Sequence, residues 1–261
     1  MTSHQPTLDT ESIGVLIDQL IRSFANTTNA DLIKEIIFSA LKMARDGSER
    51  GDLKILNSSF KELRYAFNVF APYREIRKVS IFGSARTPTE SPDYLHAQEF
   101  ASRMTKEGFM VITGAGPGIM EAANKGAGKD MSFGVNILLP FEQNANRFIR
   151  EDPKLIHLRY FFTRKLLFVK EADAAVFFPG GVGTQDEGFE ILTLAQTGKS
   201  NPLPIIFVDS PEGSYWKDWE IYLHRNLVGT GKVSQEDLSL FKVTNQVEVA
   251  VEEIQRFYHR Y

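Results

Sequence analysis

From Val79 onward the chain repeats one pattern: a short, nearly unbroken apolar run, a glycine-containing turn, then a stretch long enough for a helix. The runs are VSIFG (79–83), FMVITG (109–114), FGVNILLP (133–140), KLIHLRYF (154–161), AAVFFP (174–179) and LPIIFVD (203–209). A strand with one wet face alternates apolar and polar residues, whereas a strand covered on both faces does not. Continuous runs separated by crossover-length segments therefore predict an α/β fold on a doubly wound parallel sheet. The chain closes on a helical stripe at Val247, Ala250, Val251, Ile254 and Phe257. Ligands of such sheets bind beyond the carboxyl ends of the strands, so the turns after the runs are where chemistry is expected.

The region before Val79 has a different texture. Residues 1 to about 10 are polar, and then apolar residues fall at Ile13, Leu16, Ile17, Leu20, Ile21 and Phe24, the spacing of one helical face. A second stripe runs through Ile33, Ile36, Ile37, Ala40 and Leu41, followed by the charged break ARDGSERGDLK. A third helix is predicted to start near Ser59, with Glu62 three residues on as in a capping box, and to carry Phe60, Leu63, Phe67 and Phe70. The expected organisation is an all-helical N-terminal extension over 1–75, structural or oligomeric in role, and a sheet domain over 76–261.

Composition narrows the function classes. The 261 residues hold 30 Lys+Arg against 33 Asp+Glu, a formal net charge of −3. That balance argues against a dedicated nucleic-acid binder, which carries a basic excess, but leaves room for a small anionic ligand. The absence of cysteine excludes disulfides, thiolate metal sites, iron–sulfur clusters and a cysteine nucleophile. The start MTSHQPTLDTES lacks a basic segment followed by an apolar one, and no run approaches the roughly 18 apolar residues of a membrane span. A cytoplasmic protein without a membrane partner is the expectation.

Three strand-end loops hold the candidate site. In FGSARTPTESPDY, Gly83 permits close backbone approach, and Ser84 and Arg86 are suited to an anionic oxygen, although a solvated surface turn would contain the same residues. In TGAGPGIMEAANKGA, Gly114, Gly116 and Gly118 precede a helix with the spacing G-x-G-x-G, which is not the dinucleotide fingerprint G-x-G-x-x-G. Those glycines serve either an anion facing free backbone N–H groups or simply a tight turn. The strongest signal is FFPGGVGTQDEGFEILTLAQTGK: Gly180, Gly181, Val182 and Gly183 form a turn with exposed N–H groups, and Thr184 adds a hydroxyl at or near the helix N-cap, a phosphate cradle by construction. Asp186 and Glu187 follow at once, and Thr193 lies near the same helical face close to two turns on. Upstream, Arg164 and Lys165 sit early in a helix, unfavourably for its dipole; they read either as a solvated face or as charge set against the phosphate, with Arg164 orienting the Glu187 carboxylate.

PGGVGTQDE fits P-G-G-x-G-T-x-x-E, and Arg164-Lys165 precedes it at a matching spacing. With GAGPGIMEAANKGA, this combination resembles the LOG-type (Lonely Guy) phosphoribohydrolases, long labelled lysine decarboxylases, over roughly residues 77–230. GVNILLPFEQNANRFI is more similar to the bacterial nucleotide 5′-monophosphate nucleosidase branch than to the compact plant-type enzymes, and the helical first 75 residues are no part of the compact core. The resemblance implies a Rossmann-like sheet and hydrolysis of the N-glycosidic bond of a nucleoside 5′-monophosphate to free base and ribose 5-phosphate. It implies Arg164 and Glu187 as catalytic pair, phosphate binding by Gly181 to Thr184, and Lys165, Asp186 and Thr193 lining the substrate site. No metal or other cofactor is implied, and a homodimer or higher homo-oligomer is. Amino-acid decarboxylation needs an electron sink, and the chain carries no signature for one. His157 is a candidate acid for the leaving base only by type and chain proximity. The alternative reading is a carrier of a phosphorylated cofactor, similar to molybdenum-cofactor carriers, without catalysis.

Overall fold

The computed structural model of the chain describes residues 9–24, 27–138 and 144–260. They divide into two compact units, residues 1–58 and 59–261. In the first unit, α1 (Thr10–Phe24) and α2 (Ala30–Arg45) pair, and Lys34 Nζ reaches Asp18 Oδ2 at 2.6 Å. Both helices follow the predicted stripes.

The third helix departs from expectation. α3 spans Arg50–Phe70, so Ser59 lies inside it rather than at its start. The starting signal is Asp52, whose Oδ2 accepts the Glu49 N–H at 3.3 Å, the reciprocal half of a capping box placed ten residues earlier. Glu62 is thereby freed for another helix. Its Oε1 accepts the Arg159 N–H at 2.9 Å and its Oε2 accepts the Thr163 hydroxyl at 2.8 Å. These groups flank the start of α6 (Phe161–Lys170), whose own N-cap residue, Tyr160, makes no side-chain cap.

The second unit is built on a seven-stranded sheet of β1 (Lys78–Phe82), β2 (Met110–Thr113), β3 (Ser132–Ile137), β4 (Leu155–Leu158), β5 (Ala174–Phe177), β6 (Ile205–Val208) and β7 (Lys242–Thr244). The order is β4-β3-β2-β1-β5-β6-β7 and every pairing is parallel, a doubly wound Rossmann-like sheet. The six apolar runs all contain strands. The run ending at Pro140 yields β3, with Leu139 and Pro140 outside the described residues. Only LIHL (155–158) of KLIHLRYF is strand, and Phe161 already opens α6. β7 was not expected: three half-buried residues at a sheet edge leave no apolar run to read.

Side-chain alternation sends Val79 and Ile81 to one face and Phe82 to the other. On the first face pack α4 (Pro92–Lys106), α5 (Ile119–Ala127) and α9 (Val247–Arg260). On the second pack Ala66 and Phe70 of α3, then α6, α7 (Val182–Gln196) and α8 (Tyr215–Leu223). Burying both faces explains why the strand runs lack alternation. Among the described residues no helix is long and apolar enough to cross a membrane.

Glu62→Ala should destabilise the chain by about 1–2 kcal/mol in denaturant unfolding, because the start of α6 loses its acceptor. Glu62→Gln should recover part of that loss. A change within about 0.5 kcal/mol would show that α6 is held by packing alone.

Candidate active site at the strand ends

β1, β2, β3 and β5 end on the same side of the sheet, and the segments that follow them enclose a cleft of about 380 Å³. That lies within the roughly 300–1,000 Å³ of small-molecule sites. The sheet winds one way from β1 to β4 and the other way from β5 to β7, so the cleft straddles its topological switch point.

The loop after β1 forms the floor. Gly83 sits so close to α5 that a Cβ there would lie 2.6 Å from Ile119 Cγ1. Ser84 ties three loops through its backbone: its N–H donates to Pro179 O at 3.1 Å and its carbonyl accepts the Ile119 N–H at 3.0 Å. The Ser84 hydroxyl oxygen accepts the Arg86 N–H at 3.1 Å, and Arg86 itself is exposed at the cleft rim.

The loop after β2 is strained and braced. Ala115 has a φ of 61°, unusual for a residue with a side chain. Its N–H donates to Thr113 Oγ1 at 3.0 Å, and its carbonyl accepts the Asn146 N–H at 2.8 Å. Asn146 Nδ2 also donates to Gly116 O at 3.0 Å, so Gly116 is a brace point and does not line the cleft. Gly118, the N-cap of α5, has a φ of 66°, and a Cβ there would strike the Ser84 carbonyl. Gly114 lines the cleft directly beneath the Arg164 guanidinium; a Cβ would overlap Arg164 Nη2 and lie 2.7 Å from Met120 Sδ.

The loop after β5 runs into α7 with Gly181 as N-cap, and no side chain caps it. Gly181, Val182, Gly183 and Thr184 line the cleft, and at Gly181 and Gly183 a Cβ would meet nothing within 4 Å. An uncapped helix start with open glycines leaves orphan N–H donors and the positive dipole end available to an anion. Gly180 stands behind this turn rather than in the cleft lining. Its carbonyl accepts the Tyr215 hydroxyl, which in turn accepts Gln185 Nε2 at 2.8 Å. Tyr215 opens α8, whose start is capped by the buried Asp209 carboxylate accepting the Trp216 N–H at 3.0 Å.

Arg164 of α6 and Glu187 of α7 meet inside the cleft. Arg164 Nε donates to Val135 O at 2.9 Å, which fixes the guanidinium, and its Nη1 lies 3.6 Å from Glu187 Oε1. Both side chains are largely buried, 11% and 17% exposed. Burial pushes the Glu187 carboxyl up to about 7, with Arg164 opposing and Asp186 reinforcing the rise. Burial also moves Arg164 below its ordinary value, with Glu187 opposing. A cavity-facing carboxyl that titrates near neutrality beside a fixed cation is a candidate acid–base group.

The remaining sequence candidates lie elsewhere. Lys165 binds Glu190 Oε2 at 2.9 Å and Asp186 at 3.1 Å, an α6–α7 tie outside the cleft lining. Burial pulls the Lys165 ammonium down, but the hydrogen bonds to Glu190 and Asp186 outweigh it and leave its pKa raised. Thr193 is exposed, does not line the cleft, and donates its hydroxyl to Phe189 O at 2.7 Å. His157 is exposed on β4 and does not line the cleft. Sequence reasoning did not single out Asn136, a buried amide on β3 that lines the cleft. The available signal was one polar residue inside the run FGVNILLP. Among the described residues, no group of three or more His, Asp or Glu side chains is placed to hold a metal ion.

The model of the family described as "Possible lysine decarboxylase" matches residues 119–254. The pyrimidine/purine nucleotide 5′-monophosphate nucleosidase of Escherichia coli K12 is 30% identical over 135 residues, 47% of this chain and 29% of that protein. The match thus spans well under half of the curated relative. Among solved structures, the molybdenum cofactor binding protein of Rippkaea orientalis is 18% identical, covering 70% of this chain and 98% of that one with a TM-score of 0.49. The molybdenum cofactor carrier protein of Chlamydomonas reinhardtii is 19% identical, covering 70% and 99% with a TM-score of 0.48.

Two glycines separate packing from access. Gly114→Ala should cost about 1–3 kcal/mol in thermal or denaturant unfolding, because its methyl displaces the Arg164 guanidinium. Gly181→Ala, with open space and an ordinary φ of −84°, should stay within about 0.5 kcal/mol of the parent. Equal costs would mean that the guanidinium yields freely.

Proposed function

The chain belongs to the LOG family, the one described as "Possible lysine decarboxylase", and on that premise we propose that it hydrolyses the N-glycosidic bond of a nucleoside 5′-monophosphate, releasing free base and ribose 5-phosphate. The observation that carries the reading is the buried Arg164–Glu187 pair lining the same cleft as the uncapped start of α7. A pure carrier of a phosphorylated cofactor would need the helix start but not a buried carboxyl poised near neutrality. The nucleosidase similarity supports the same substrate class.

In this mechanism the 5′-phosphate sits on the N–H groups at the start of α7, with the Ser84 and Thr184 hydroxyls as further donors. Arg86 at the rim adds a cation with a fork of donors. Binding energy from the phosphate holds the ribose beside the Arg164 guanidinium, which packs directly on Gly114. As the bond to the base lengthens, positive charge builds on the sugar. The Glu187 carboxylate stabilises that charge and takes a proton from the attacking water. Arg164, fixed on the Val135 carbonyl, holds the carboxylate in place.

The working form of Glu187 as a base is the carboxylate. Its pKa is raised, so the active form is lost below about pH 7 and gained above it. kcat/KM should therefore rise through about pH 7 with a single protonation limb. Glu187→Gln should lower turnover on the responsive monophosphate by at least about 100-fold and abolish that limb. Thr184→Val should raise KM for the monophosphate. Released base measured by chromatography across AMP, GMP, CMP, UMP and IMP checks all three. Full activity of Glu187→Gln would overturn the mechanism. Equal use of nucleosides and their monophosphates would overturn the phosphate subsite. No release from any monophosphate would favour a carrier role instead.

A further inference from the structure

β3 projects one amide into the cleft that the mechanism above does not use. Asn136 is 4% exposed and lines the same cleft as Arg164 and Glu187. Its Oδ1 is committed: it accepts the Ile137 N–H at 3.0 Å. The ladder explains why. The Gly134 and Leu138 N–H groups bond to Lys154 O and Leu158 O of the β4 side, so the Ile137 N–H points toward β2. The pairing of β2 with β3 ends at Thr113 and Gly134, and the strand leaves that N–H without a backbone acceptor. Asn136 supplies one from its own side chain. The amide orientation is thereby fixed, because only the oxygen can face an N–H. What remains for the cleft is Nδ2, a pure donor with no partner among the described residues. Nδ2 is not one of the sealed, unpartnered polar atoms among the described residues, so it is open to the cleft and available to donate to whatever occupies it.

Its place in the sheet says what that something is. The helix start at the end of β5 lies three inter-strand steps from β3, through β1 and β2. At roughly 4.8 Å per step, Asn136 stands about 14 Å across the cleft from the phosphate subsite. A nucleotide anchored by its phosphate at α7, with its ribose beside the Arg164 guanidinium, lays its base over β3. The Val135 carbonyl that anchors Arg164 is the neighbouring residue, so the amide is held on the same backbone as the catalytic cation.

We propose that Asn136 is a catalytic residue that donates a hydrogen bond from Nδ2 to an acceptor atom of the departing base. The inference rests on the nucleotide-hydrolysis reading. When the C1′–N bond breaks, its electron pair passes to the base nitrogen, and water adds to C1′ through oxygen. The proton water loses passes to Glu187 and then to the base. Asn136 transfers no proton; it stabilises negative charge that develops on a ring nitrogen or carbonyl oxygen before the proton arrives. Because Oδ1 is locked on Ile137, the amide cannot turn to accept from an amino group, and the donor role is fixed.

The test varies the leaving group. Wild-type chain, Asn136→Ala and Asn136→Asp are assayed on the nucleoside monophosphate the wild type uses best and on p-nitrophenyl ribofuranoside 5-phosphate, whose leaving group departs as a stabilised anion unaided. Asn136→Asp keeps an acceptor for Ile137 and removes the donor, so it separates the contact from the fold of β3. The expected result is a fall in kcat of about 10²-fold on the nucleotide, with KM within about threefold, and little change on the p-nitrophenyl substrate. Equal losses on both substrates, or no loss on either, would overturn the donor role while leaving the hydrolase reading intact. No base release by the wild-type chain from any monophosphate would remove the reading, and this inference with it.

Discussion

The cleft exists because β1 and β5 lie side by side. Val79 to Phe82 pair in register with Ala174 to Phe177, two segments nearly a hundred residues apart in the chain. On one side of that seam the sheet grows through β2, β3 and β4; on the other through β6 and β7. Loops that leave the seam diverge, and their divergence opens the space into which Gly83, Gly114 and Gly181 face. Ser84 closes the bottom of it by bonding at once to Pro179 and Ile119, so three loops from three strands share one fixed point. The strained Ala115 is tolerable only because Thr113 and Asn146 hold its peptide groups from both sides.

Within that frame the electrostatics favour reactivity over stability. At 3.6 Å, Arg164 and Glu187 attract each other by about 5 kcal/mol at an effective dielectric of 20. Taking each charge out of water costs several kcal/mol. The balance is visible in Glu187 itself, whose carboxyl is pushed up to about 7 by burial despite the cation beside it. Desolvation wins by roughly 3 kcal/mol. The folded chain therefore binds a proton at Glu187 that the unfolded chain releases near pH 4.5, and the stability this carboxyl contributes declines as pH rises from there to about 7. Such a group is poorly explained as a structural brace. Lys165, by contrast, has two carboxylates within hydrogen-bond reach and a raised pKa, the signature of a tie between helices.

The sequence was most informative where burial is two-sided. Six apolar runs marked six strands, and PGGVGT marked the uncapped helix start, because glycine there answers a backbone requirement that can be read locally. It was least informative where a residue acts on a distant segment. Glu62 reads as the partner of Ser59 three residues back, yet its carboxylate serves Arg159 and Thr163 about a hundred residues on. Asn136 sits in a run that periodicity assigns wholly to the core; only the point where β2 stops pairing turns it into a cleft residue. Lys165, Asp186 and Thr193 sit in or beside the recognised motifs but face away from the cleft lining, because neighbours on a helix point in different directions. β7 and α8 escaped because a short edge strand and a mixed-polarity helix carry little pattern.

The clamp on Gly180 enlarges the region of the chain that the uncapped start of α7 answers to. Tyr215 holds that carbonyl from α8, and α8 is seated by the Asp209 carboxylate, which is buried and remote from the cleft lining. The uncapped start of α7 is thus gripped from behind by the segment after β6 as well as by its own Gln185. Drift in sequence between Ser210 and Ser214 would be felt as a change in the aim of that helix start. Two chains with identical PGGVGT motifs would then present the same helix start at different angles.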